Sequence, residues 1–213
     1  GISKVSKAIH LNRIFREKGW IQVKDEIGLE TLDCGGCQAF AVADHQVAHV
    51  YVNDESIAEE VRKVVLEADG VEEIREGAEL WGNGVGRERG GDFVAVSESE
   101  AWFTYYYWMD DAKAPDFARC IDIHRKPGYD PVELFLDPEI KFPMLKIAGF
   151  LAKKKLGFRA LMDVIPLDAD LVKGSHGRDT VEEEEQPLAI GVGAENVDSA
   201  ESVFGWIQGR CRS

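Results

Sequence analysis

"VAHVYVNDESIAEEVRKVVLEADGVEEIRE", residues 47–76, sets two β-rich runs around an amphipathic middle, and its reading decides the fold. Val47–Val52 is rich in β-branched and aromatic residues, which predicts a strand. Ser56 and Glu59 have the spacing of a capping box. Behind them Ile57, Val61, Val64, Val65 and Ala68 recur at helical intervals as far as Gly70. "VEEIRE" (71–76) predicts a second strand, so the stretch is a β-α-β unit. Working outward, Trp20–Val23 and Ala39–Val42 predict short strands, and "GDFVAVSESEAWFTYYYW" (91–108) predicts a hairpin about the polar "SESE". Residues 39–108 are therefore expected to form an antiparallel sheet with a helix at 55–69 on one face, an α+β subdomain over 39–110.

The flanks follow by the same rules. Ser6–Lys18 places Ile9, Ile14 and Phe15 at roughly helical spacing, with Gly19 as a stop. Met144, Ile147, Ala148 and Leu151 predict a helix ending near Gly157. "PLAIGVG" (187–193) predicts a buried strand, and Ser202–Gln208 a closing helix. All seven prolines lie beyond residue 114, so 115–143 is expected to run extended along the surface. The expected division is a Pro-rich connection at 111–143 and a return to the core at 144–213, with 1–213 as one incomplete domain. Mixed α/β to α+β is the predicted class.

Composition excludes several roles. A net charge of −14 argues against a nucleic-acid partner, because phosphate contacts need clustered Lys and Arg. No apolar run approaches the ~20 residues that span a bilayer, and the amino terminus lacks a signal-peptide pattern. A soluble, cytoplasmic chain with no membrane partner is expected, its oligomeric state left open. Four cysteines in 213 residues do not make a disulfide scaffold, which favours a reducing compartment. Gly1 in place of Met suggests a processed, tagged or excised piece, and Glu182–Glu185 predicts a solvated loop.

Five stretches carry residues capable of chemistry. "DCGGCQ" has a CxxC spacing at Cys34 and Cys37, but a second ligand pair is absent, so a turn bearing two thiols is the preferred reading over zinc or a redox pair. "ADHQVAH" holds Asp44, His45 and His49. Adjacent Asp44 and His45 point to opposite faces of an extended chain, and an ordinary strand entrance is slightly preferred to site-lining. "DIHRKPGYDP" holds Asp122 and His124 on one side if extended, balanced between a phosphate or metal site and a salt-bridged loop. "WFTYYYW" (102–108) is expected to pack in the core, with an exposed alternate face for stacking as the second reading. Finally, "LVKGSHGRDT" (171–180) holds His176 between Gly174 and Gly177. There an imidazole serves as metal ligand, acid–base group or polar turn residue.

These residues carry a resemblance. "HLNRIFREKGW" (10–20) with "VYVN" (50–53), "GDFVAVSESEAWF" and above all "KGSHGRD" before "PLAIGVG" resemble the later part of a type I phosphodiesterase/nucleotide pyrophosphatase of the alkaline phosphatase superfamily. The resemblance implies an alkaline phosphatase-like fold, present as the carboxy-terminal part of its core plus a small antiparallel α+β cap. It implies that His176 is the last ligand of a site for two divalent ions, zinc by preference, in a full-length protein, with none necessarily held by this chain. Asp168 or Asp179 would orient the imidazole, and Arg178 would meet a substrate phosphate or the acidic run. The family's nucleophile and its other ligands lie upstream in sequence order, and Gly1–Ile2 falls where its Asp-His-Gly element ends. No catalytic residue is therefore assigned here, and Asp44–His45 is not given a metal role. The implied function is part of a metal-dependent phosphoric ester hydrolase acting on a phosphate-ester or nucleotide small molecule, inactive alone. The alternatives are a non-catalytic binding or interaction domain, and a degenerate member without metals.

Overall fold

A computed structural model describes residues 1–77, 80, 89–122, 124–179, 181–183 and 186–211. Chain contacts divide it into two units, Ile2–Asp179 and a smaller one made of Gly1 and Thr180–Ser213.

The larger unit is built on the predicted β-α-β stretch. Strands β5 (Ala39–Asp44) and β6 (Val47–Val52) form a hairpin; helix α2 (Ala58–Leu66) leads to β7 (Val71–Glu76), and β8 is Phe93–Ser97. The order is β5-β6-β8-β7, every neighbouring pair antiparallel, so β8 inserts between the two strands that α2 connects. Val61 and Val65 of α2 are buried, as the stripe requires. The expected antiparallel sheet with its helix is present. The capping box is not: the Asp54 carboxylate accepts the Ser56 amide and caps a turn of 3-10 helix (Glu55–Ile57), and α2 follows from Ile57 with no side-chain cap of its own.

The hairpin expected at 91–108 does not form. Strand β9 (Ala101–Phe103) pairs in parallel with β2 (Lys7–Ile9), with Ile9 opposite Phe103. The "SESE" turn redirects the chain because Ser97 Oγ donates to the Ala101 carbonyl at 2.7 Å, while Gln46 Nε2 donates to the Ser99 and Ala101 carbonyls. The same pairing takes Ile9 out of the expected first helix, which starts only at Leu11 (α1, Leu11–Glu17). Asn12 of α1 ties the helix to the main sheet by donating to and accepting from Ala41, both at 2.8 Å. A small hairpin, β3 (Val23–Glu26) and β4 (Leu29–Leu32), lies beyond the strand expected at 20–23.

The aromatic run fills the core. No residue of 102–108 is more than 3% exposed, so the exposed stacking face is excluded. Tyr105, Tyr106 and Tyr107 each meet Trp108, with ring centroids 4.7–5.5 Å apart. Nor does 115–143 simply follow the surface: Phe117, Ala118, Lys126, Asp130 and Val132 are buried. Helix α3 (Pro143–Lys155) matches the predicted one, and Gly157 follows at φ +83°. Strand β1 (Ser3–Lys4) pairs antiparallel with β10 (Gly174–Ser175).

In the smaller unit "PLAIGVG" is neither a strand nor buried: Leu188, Ile190 and Val192 are 79–86% exposed. An apolar strand is buried only where neighbouring strands satisfy its backbone, and no strand among the described residues lies in this unit. The Val192 carbonyl instead accepts from Trp206 Nε1 at 3.1 Å, on the closing helix α4 (Ala200–Cys211). Of the acidic run, Glu182 and Glu183 are exposed and Glu184 and Glu185 lie outside the described residues.

Candidate functional site

The turn between β5 and β6 is only His45–Gln46, and so short a connection demands an unusual backbone. His45 takes it at φ +58°, a left-handed conformation that His tolerates better than most non-glycine residues. Gln46, fully buried, holds the turn from inside through its two side-chain hydrogen bonds across the "SESE" link. Two backbone contacts fix it further: the Phe103 amide donates to the His45 carbonyl at 2.7 Å, and the Gln46 amide donates to the His176 carbonyl at 2.9 Å.

That second bond brings two distant sequence motifs together. The His45 and His176 rings lie 4.0 Å apart, centroid to centroid, at 32°. Tyr129 stacks on His45 at 4.6 Å and 30°. Tyr129 is in place because Gly128 lies directly against β5. Its φ is +118°, a Cβ there would meet the Ala43 carbonyl oxygen at 2.0 Å, and the Tyr129 amide donates to that same oxygen.

The loop of His176 is anchored on both sides. Ser175 pairs with Ser3 across β1–β10, and the Val5 amide donates to the Lys173 carbonyl. Past Gly177 (φ +117°), Arg178 bonds Glu72 and the Ser97 carbonyl with its guanidinium nearly buried, while Asp179 accepts two bonds from Arg75 at 2.6 and 2.8 Å. Asp179 and Glu73 together hold the Arg75 guanidinium firmly protonated. His176 itself is exposed.

Burial first, then the neighbouring His176, pushes the His45 imidazole below its usual range, while Asp44 at 3.9 Å acts the other way. Nδ1 of His45 is buried with no hydrogen-bond partner among the described residues. The result is an exposed imidazole, His176, beside a second one that burial pushes toward its neutral form, ring types suited to zinc or to proton transfer. Among the described residues, no three His, Cys, Asp or Glu side chains gather as a group able to hold a metal.

The other predicted residues lie apart in their bonding. Asp168 caps the turn Ala169–Leu171 by accepting the Asp170 amide. The Asp122 amide donates to Glu133, and His124 is exposed. The segment's buried charge is instead Lys126, which bonds Asp130 at 2.9 Å and Glu133 at 2.6 Å. Cys34 and Cys37 are thiols raised by burial; Cys37 Sγ accepts the Gln22 amide, a turn in both structure and bonding. Gln46, Tyr129 and Arg75 belong to no motif that marks them in the sequence. Only the φ > 0 demand of Gly128 before Tyr129 was a local signal.

A family model described as type I phosphodiesterase / nucleotide pyrophosphatase matches residues 1–130. No curated protein matches the chain. Two similar solved structures are of phosphonoacetate hydrolase from Sinorhizobium meliloti 1021, one in complex with phosphonoacetate and one with phosphonoformate. They are 16% and 17% identical, with TM-scores of 0.32 and 0.35 over 48% and 55% of this chain. The chain spans 26% and 29% of the length of those proteins.

Proposed function

Since the chain belongs to the type I phosphodiesterase / nucleotide pyrophosphatase family, we propose that it forms part of a metal-dependent phosphoric ester hydrolase in which His176 is a metal ligand. The observation that supports this is the β1–β10 pairing. Ser3 lies opposite Ser175, so the antiparallel register sets Ile2 next to His176. The family resemblance sets the end of its Asp-His-Gly element at Gly1–Ile2, which would bring that ligand pair near the imidazole.

Divalent ions bound there would supply Lewis-acid stabilisation of a phosphoryl group and a lowered nucleophile pKa. The residues of this chain do the positioning. The His176 carbonyl is held by the Gln46 amide, which fixes the loop. His45 lies against the ring face and limits its rotation. Burial pushes His45 toward its neutral form, which lessens the charge it would set beside a cation. Asp179 and Arg178 act on the loop rather than on substrate, since each is bonded to the β7 side of the sheet. The substrate class is a phosphate ester or nucleotide. The chain by itself is proposed to be inactive, as no Ser or Thr among the described residues is placed with a ligand set.

The test is His176→Ala in a full-length parent. Loss of bound metal and of phosphodiester hydrolysis, with an unchanged circular dichroism spectrum, is the expected result. Full activity and metal content in that variant would reject the assignment. Chelator-sensitive turnover by the 213-residue chain alone would reject its inactivity.

A further inference from the structure

The segment 141–159, "KFPMLKIAGFLAKKKLGFR", contains six of the chain's 25 cations and none of its 39 acids. It lies within a chain whose net charge is −14, so the local sign is the reverse of the whole. Its helix α3 is apolar on the side that faces solvent. Met144, Ala148, Leu151 and Ala152 recur at i, i+4, i+7 and i+8, Leu145 lies beside them, and all five are exposed. Met144 and Leu145 are 72% and 69% exposed, and Phe142 and Phe158 extend the apolar strip at either end. Lys155 falls within this face, with Lys146 and Lys153 beyond its Leu145 edge and Lys154 beyond its Leu151 edge. Lys146 is paired with Asp163 at 2.9 Å, so Lys153, Lys154 and Lys155 are the cations whose long stems can reach past the apolar neighbours. The inner side holds the half-buried Pro143, Ile147 and Phe150.

An acid-free, lysine-flanked apolar face complements one kind of surface best: an anionic lipid layer, whose headgroups take the ammonium groups while the acyl boundary takes Met144, Leu145 and Leu151. We propose that residues 141–159 dock this protein peripherally on anionic membranes. No described helix is long and apolar enough to cross a membrane, and none is needed: the helix lies in the interface. The expectation of no membrane partner rested on the absence of a spanning segment, which does not bear on peripheral docking. The proposal is independent of hydrolysis and of His176.

Co-sedimentation of the 213-residue chain with vesicles tests it. The probes are phosphatidylcholine alone and phosphatidylcholine containing one third phosphatidylglycerol, at low and high salt. Binding to the anionic vesicles only, weakened by salt, is expected. Replacing Lys153, Lys154 and Lys155 together by Gln should weaken it on the order of 100-fold. Met144→Ser with Leu151→Ser should weaken it while leaving the circular dichroism spectrum unchanged, as both positions are exposed. Absence of binding to anionic vesicles, equal binding to neutral ones, or indifference to both sets of substitutions would overturn the proposal. So would a concentration-dependent dimer, dissolved by Leu151→Ser, in a chain that ignores vesicles; the face would then belong to a second copy.

Discussion

His45 and His176, 131 positions apart in sequence, stack ring on ring at 4.0 Å because one backbone hydrogen bond, from the Gln46 amide to the His176 carbonyl, joins their two turns. The exposed ring therefore lies against a half-buried one that also stacks on Tyr129. Groups that orient a metal-binding imidazole typically change affinity by ~10–100-fold when removed. His45→Ala in a full-length parent should lower zinc affinity by about that range without loss of fold, as read by isothermal titration. Unchanged affinity would show that the stack does not position His176.

Gly128 should tolerate no side chain. At φ +118° with the Ala43 carbonyl at 2.0 Å from its Cβ position, Gly128→Ala must push the 126–130 loop off β5. A destabilisation of at least about 2 kcal/mol is expected from the combined backbone strain and overlap. Urea unfolding measures it, and Tyr129 fluorescence should report release of the ring from His45.

Lys126 is buried between two carboxylates, Asp130 and Glu133. Lys126→Met would leave two acids facing each other away from water, at a cost of about 3–5 kcal/mol. Burial already raises the Asp130 carboxyl despite the ammonium group, so the variant should take up a proton there and lose stability most steeply as pH rises. Combining Lys126→Met with Asp130→Asn and Glu133→Gln should restore much of the loss, which thermal unfolding at neutral pH will show.

His10 makes the fold acid-sensitive. It is hydrogen-bonded to Thr104 at 2.6 Å and stacked on Tyr106, and burial with the nearby Arg13 lowers it from 6.5 to about 4. Its folded pKa lies below the unfolded one, so the unfolded chain binds the proton first. Stability is therefore full above pH 6.5 and falls as pH drops toward 4, by up to about 3 kcal/mol for this group. His10→Gln should flatten that part of the stability–pH curve, and an unchanged slope would assign the acid sensitivity to other groups.

The sequence alone determined what short-range physics controls. Helical spacing located α2 and α3, β-branched composition located β5, β6, β7 and β8, and Gly157 located a helix end, because each depends on residues within one turn or pleat of one another. It also singled out His176, since a glycine-flanked imidazole is a local pattern. Partners were beyond its reach. Alternation over 93–103 reads as a hairpin whichever strands are available, and only the folded chain decided that β9 would join β2, through the side chains of Ser97 and Gln46. Composition could not separate the buried "WFTYYYW" from the exposed "PLAIGVG", because burial depends on which surfaces the rest of the chain presents. The site itself is of that second kind: His45, Tyr129 and His176 converge only once two turns and a glycine contact have folded against β5, a juxtaposition that loop closure over many tens of residues creates and no local spacing encodes.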